Sequence, residues 1–128
     1  MFLIFQETWF DALANCRSMN MKLLEIDSRQ KNQQLQKYFK RRSYGTSTVN
    51  GFQILNYWTA GNNIDRVNQW MWRASDKNIG FTSWAPGQPD NNNYYGEEYC
   101  VELLYFTNTD LLWNDSNCLI KKQYICES

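Results

Sequence analysis

Histidine is absent from the 128 residues. Without it the chain cannot build a Ser-His-Asp or Cys-His nucleophile, or a zinc site that relies on imidazole. Proline and glycine are scarce, at 2 and 6 residues, while aromatics make up 16%. That composition argues against disorder. No charge of either sign is in excess, since 13 Lys or Arg balance 13 Asp or Glu. A strongly basic nucleic-acid binder and an acidic tail are both disfavoured, so no nucleic-acid partner is expected. No apolar run reaches the ~18 residues of a membrane span, and residues 1–5 (MFLIF) are too short for a span or a signal peptide. We expect a segment directing secretion to lie outside this sequence. A chain of this length buries about two thirds of its unfolded surface and holds one core. The expectation is a single domain over residues 1–128, built for binding rather than catalysis.

What is present begins with four cysteines, Cys16, Cys100, Cys118 and Cys126. None forms C-x-x-C, so neither a redox motif nor a zinc knuckle is expected. Two disulfides in an oxidising, extracellular compartment fit better than four buried thiols. Four cysteines allow three pairings. The favoured one is Cys16–Cys126 with Cys100–Cys118, which ties the chain ends together and pins a short C-terminal loop. In the loop-entropy model a closed loop of ~100 residues is worth roughly 4.7 kcal/mol.

Periodicity supplies the elements. Residues 2–5 suit a buried strand. Thr8 caps a helix with Asp11 three residues later, and Trp9, Ala12, Leu13 and Cys16 recur at helical spacing. Residues 22–26 (KLLEI) read as an extended link. Ser28 caps a second helix running to about Lys40, with Leu35, Tyr38 and Phe39 as its apolar stripe and Lys37, Lys40, Arg41 and Arg42 crowding its end. Those cations suit the helix dipole; the other reading is a patch for sulfated or anionic glycans. Residues 41–51 read as a turn-rich loop and 83–93, which hold both prolines, as another. Strands are expected at 54–60, 70–72, 98–106, 111–113 and 123–126. The class is α+β: two helices, short antiparallel sheets and a long loop region.

Oxygen ligands gather in the second half: Gln88, Asp90, Glu97, Glu98, Asn114 and Asp115. Oxygens without imidazole suit a hard cation, and Ca2+ tolerates irregular geometry better than Mg2+. An EF-hand loop from Asp90 fails, because Tyr95 stands where Gly is required and Val101 where Glu is required. Singly, each of these residues also reads as a solvated loop polar group. Glu97 and Glu98 are adjacent carboxylates that would point to opposite faces of a strand, which does not suit glycoside hydrolysis, so no enzyme is expected.

The spacing of these residues resembles the C-type lectin family. Gln88-Pro89-Asp90 is followed by Glu98 two residues before Cys100, then by Trp113-Asn114-Asp115 three residues before Cys118. Trp9 and Cys16 resemble the family's first helix, Tyr57-Trp58-Thr59-Ala60-Gly61 its core strand, and Trp84 the tryptophan before its calcium loop. Tyr124-Ile125-Cys126-Glu127 resembles the family's closing strand.

The resemblance implies one Ca2+ held by Gln88, Asp90, Glu98, Asn114 and Asp115, with the backbone carbonyl of Asp115 added and a cis bond before Pro89. It implies that vicinal sugar hydroxyls displace water from the ion, while Asp90 accepts and Gln88 and Asn114 donate hydrogen bonds to those hydroxyls. The Gln-Pro-Asp order is that of the family's galactose-type members. It implies galactose or N-acetylgalactosamine, on cell surfaces or glycoproteins, as the ligand.

Two positions depart from the pattern. Asn92 stands where those members carry a stacking Trp, leaving Tyr94 or Tyr95 for that role. Residues 62–67 (NNIDRV) hold one acid where a second ion would need a pair. Asn114-Asp115-Ser116 is also an N-glycosylation sequon, expected to stay unmodified because a glycan there would obstruct the ion. The alternative function is a protein-interaction module of the same fold with a vestigial sugar site. The resemblance further implies a secreted protein, an oligomer or protein partner, and glycan recognition in innate immunity.

Overall fold

The computed structural model describes residues 2–3, 6–42, 47–49, 52–66, 69–90, 98–105 and 111–128, with backbone alone at 2–3, 42, 47–49, 52–55, 98 and 105. Helix α1 spans Trp9–Ser18 and α2 spans Arg29–Arg42. The strands in chain order are β1 Phe2–Leu3, β2 Lys22–Leu23, β3 Ser47–Val49, β4 Phe52–Asn62, β5 Met71–Trp72, β6 Lys77–Asn78, β7 Glu98–Tyr105, β8 Leu112–Asn117 and β9 Gln123–Glu127. None of the described helices is long and apolar enough to cross a membrane.

Both helix starts follow from their caps. Thr8 Oγ1 accepts from the Asp11 backbone N–H at 3.2 Å, and Ser28 Oγ accepts from that of Lys31 at 3.1 Å. Trp9, Ala12 and Cys16 then face the core from α1, as do Asn32, Leu35 and Phe39 from α2. The second helix runs two residues past the expected Lys40.

β4 is the spine. It pairs with β3, β5 and β7 antiparallel, and with β9 in parallel at Tyr57↔Gln123 and Trp58↔Tyr124. The sheet is therefore mixed rather than antiparallel throughout, because β9 enters from the chain terminus with no hairpin to set its direction. β9 in turn holds β1 and β2, and β7 holds β8. At Gly61 the approach is close: a Cβ there would stand 2.8 Å from Val101 Cγ2 and 3.2 Å from the Trp72 ring. A positive φ at Asn56 sits within the stretch where the β4–β7 register slips, a conformation Asn tolerates.

Three expectations are corrected. The turn-rich loop at 41–51 contains the end of α2 and strand β3, since the β-branched Thr48 and Val49 pair with Gln53 and Phe52 respectively. β6 was not expected: its Lys77 and Asn78 carry no strand signal and are ordered by pairing with β5. The strand expected at 111–113 extends instead through Asn117, so Asn114 and Asp115 lie inside a paired strand. Residues 4–5 and Phe106, expected in strands, lie outside the described residues.

The disulfides are Cys16–Cys126 and Cys100–Cys118, as favoured. The first spans 110 residues of sequence. Replacing Cys16 and Cys126 together with Ala is expected to cost about 2–5 kcal/mol. Urea unfolding of the variant beside the parent measures this, and an unchanged midpoint would refute it.

Candidate functional site

The site begins at Trp113. Its indole is packed by Trp72, Phe81 and Trp84 at ring-centroid distances of 5.5, 5.8 and 5.7 Å, all in edge-to-face arrangements. Its Nε1 donates to Asn32 Oδ1 at 3.1 Å, and Asn32 Nδ2 donates to the Leu111 carbonyl at 2.8 Å. The backbone on either side is fixed as well. Trp113 N donates to the Ser83 carbonyl at 2.8 Å, and Ala85 N donates to the Trp113 carbonyl at 2.9 Å. These bonds carry the proline-containing loop onto β8.

The loop then turns sharply. Gln88 N donates to the Ala85 carbonyl at 2.9 Å across Pro86 and Gly87, and Gly87 has φ +81°. Pro followed by a positive-φ Gly makes a type II turn. The next peptide, Gln88–Pro89, is cis. Asp90 follows, and its backbone N–H donates to Asp115 Oδ1 at 3.2 Å. Asp115 is wholly buried. The structure thus joins the 88–90 loop to the Asp115 carboxylate, two segments well apart in sequence.

Asn114 takes a different direction. In the β7–β8 register Val101 faces Asp115 and Glu102 faces Asn114, and side chains alternate along a strand. Asn114 Nδ2 donates to Glu102 Oε2 at 2.8 Å. One of its two amide hydrogens is therefore engaged within the protein, and among the described residues no bond is made by the other hydrogen or by Oδ1. The sequon acceptor Asn114 is part of this paired strand, with Asp115 and Ser116 both buried.

Glu102 is itself buried and lies 2.9 Å from Lys122 Nζ, whose side chain is also buried. Lys122 stands 5.1 Å from the centroid of the Trp58 ring, and Trp58 pairs with Glu102 across β4 and β7. Glu102 and Lys122 were missed as site-supporting residues. The available signal was a lone acid in the apolar run Val101-Glu102-Leu103-Leu104.

The donor set suits a hard cation. Gln88 Oε1 is buried and has no hydrogen-bond donor among the described residues, and leaving such an oxygen unsatisfied costs about 1–3 kcal/mol. A cation beside it would remove that cost. Among the described residues no three Asp, Glu or Cys side chains form a cluster that could hold a metal ion. Glu98 is placed by backbone at the start of β7, opposite Asn117; its side chain, and all of Glu97, Tyr94 and Tyr95, lie outside the described residues.

Where a second ion would need two acids, Asp65 Oδ2 instead accepts from Arg73 Nη2 at 2.7 Å, and Asn62 Oδ1 accepts from Arg73 Nε at 2.8 Å. A guanidinium holds that segment.

Residues 5–128 match the Lectin C-type domain family. Perlucin of Haliotis laevigata is 30% identical, covering 98% of this chain and 73% of its own length. C-type lectin 16 of Aedes aegypti is 28% identical, covering 93% of this chain and 74% of its own. The mouse scavenger receptor C-type lectin carbohydrate-recognition domain has the same fold, with a TM-score of 0.73 at 24% identity, covering 98% of this chain and 88% of that one. The chain belongs to the C-type lectin family of carbohydrate-binding domains.

Proposed function

We propose that residues 1–128 form one carbohydrate-recognition domain that binds terminal galactose or N-acetylgalactosamine with Ca2+. The observation that carries this reading is the buried Gln88 Oε1, without a donor among the described residues, on the loop whose Asp90 is tied to the buried Asp115. The holding residues would be Gln88, Asp90, Glu98, Asn114 and Asp115. Bound there, Ca2+ supplies open coordination positions to a saccharide diol.

The side chains do the rest. The Asp90 carboxylate accepts a hydrogen bond from a sugar hydroxyl, while the Gln88 amide and the second N–H of Asn114 donate to hydroxyl oxygens. Amide before proline and acid after it set which hydroxyl is read as donor and which as acceptor. That order is the basis for galactose over mannose. Tyr94 or Tyr95 supplies the apolar stacking surface in place of Asn92. The chemistry is binding without turnover. The setting is extracellular, on cell-surface or secreted glycoproteins, with oligomerisation raising the weak affinity of a single shallow site.

The test is retention on galactose resin. EDTA is expected to abolish it, and full retention without calcium would overturn the proposal. The paired change Gln88→Glu with Asp90→Asn, which keeps the site's charge, is expected to shift preference on a glycan array from galactose toward mannose. An array without calcium-dependent signal would favour the protein-interaction module.

A further inference from the structure

We infer a second ligand surface, independent of calcium, on the exposed face of α2, where a sulfated polyanionic glycan binds. Residues 28–64 contain six Lys or Arg and no Asp or Glu, so a chain of zero net charge carries its balancing acidic excess elsewhere. All six cations lie on α2. Two serve the fold: Arg29 stands over the Phe81 ring at 5.7 Å, and Lys31 pairs with Glu127 at 2.8 Å. Lys37, Lys40 and Arg41 are exposed, and none has an acidic partner among the described residues. At spacings of three and four they share one helix face. Exposed Gln30, Gln33 and Gln34 continue that face towards the helix start.

The helix dipole suits Lys40 and Arg41 in the last turn but not the pattern as a whole. It favours acids in the first turn and cations in the last. Here the first turn has no acid and carries Arg29 and Lys31 instead. A membrane surface does not fit, because the apolar Leu35 and Phe39 are buried in the core, leaving no apolar side to insert. Nor does a nucleic-acid strand, since the exposed face offers amides and cations but no aromatic on which a base could stack. A sulfated glycan presents what these groups recognise: closely spaced anions for the cations and hydroxyl oxygens for the amides. The two disulfides suit an oxidising compartment of the kind in which such glycans are displayed.

The surface is the exposed face of α2, whereas the candidate calcium site meets its opposite, buried face, where Asn32 bonds Trp113. Phe39, on α2, packs its ring 5.3 Å from that of Tyr57. Tyr57 precedes by roughly 17 Å of strand the Asn62 end of β4, which pairs with Cys100 beside Glu98. The proposal therefore stands or falls independently of the galactose reading.

Heparin is the probe, with the full chain and EDTA present throughout. Retention on heparin resin is expected. The triple variant Lys37→Gln, Lys40→Gln, Arg41→Gln is expected to weaken heparin affinity on the order of 100-fold and to lower the slope of log affinity against log salt by about two to three. Its far-UV circular dichroism is expected to match the parent. A control variant, Lys77→Gln with Lys121→Gln, removes exposed cations elsewhere and is expected to keep parental heparin affinity. Four results would overturn the proposal: parental affinity in the triple variant, equal loss in the control, loss of heparin binding in EDTA alone, or tighter binding of single-stranded DNA than of heparin at equal charge.

Discussion

Replacing Asp115 with Ala is expected to abolish calcium uptake in a calorimetric titration and retention on galactose resin while leaving the domain folded. The size of the two effects differs for a physical reason. Asp115 is wholly buried, and Oδ1 accepts from the Asp90 backbone N–H. Losing a hydrogen bond to a charged group costs about 1.5–3 kcal/mol, less than the 5–15 kcal/mol that holds a typical domain together. The ion loses a charged ligand and the anchor that brings the 88–90 loop to β8, which should weaken calcium affinity by on the order of 100-fold or more. Asp115→Asn separates these contributions. It retains an oxygen able to accept from Asp90 but removes the charge, so the fold should be parental and calcium affinity still greatly reduced. Parental calcium uptake in either variant would sink the proposed site.

The second large effect lies beneath the site. Lys122→Met leaves Glu102 as a buried carboxylate without its cation, 4% exposed at its side chain. Breaking one half of a buried pair costs about 3–5 kcal/mol, which for a domain of this size lowers Tm by roughly 10–20 °C. Adding Glu102→Leu removes the stranded charge and should restore most of that stability. It cannot restore the bond from Asn114 Nδ2 to Glu102 Oε2. On the proposed reading, calcium affinity of the double variant should then remain about 10–100-fold below the parent, the usual loss when a ligand's supporting partner is removed. Thermal unfolding of both variants and calcium titration of the double variant test these outcomes. A single variant within about 3 °C of the parent would show that the pair contributes little to the fold.

Much of the architecture is legible without coordinates because local rules act in the same direction as the fold. Thr8 and Ser28 cap the helices from which Trp9, Cys16, Leu35 and Phe39 enter the core. The expectation failed where pairing overrode local preference. Lys77 and Asn78 become a strand only because Met71 and Trp72 lie alongside. Asn114 and Asp115 are polar residues with no strand signal of their own, yet β7 holds them in register.

The candidate site divides along the same line. Composition drew attention to Gln88, Asp90, Glu97, Glu98, Asn114 and Asp115, because oxygen-bearing residues without any histidine suit one class of cation, and the family resemblance narrowed the expected ligands to five by leaving out Glu97. Neither revealed Glu102 or Lys122, whose meaning comes from facing each other across strands.

The amino-acid sequence by itself determined the chemistry available to this protein: no imidazole, oxygen ligands around a Gln-Pro-Asp turn, cysteines in a lectin order, and cations gathered on one helix. These are properties of composition and local spacing, and they hold before the chain folds. Tertiary structure alone decided how those groups are used. It tied Asp90 to Asp115 across a long sequence gap, turned one hydrogen of Asn114 inward to Glu102, and put Lys122 beside that buried acid. Such contacts depend on strand register, and a shift of one residue sends every side chain to the opposite face.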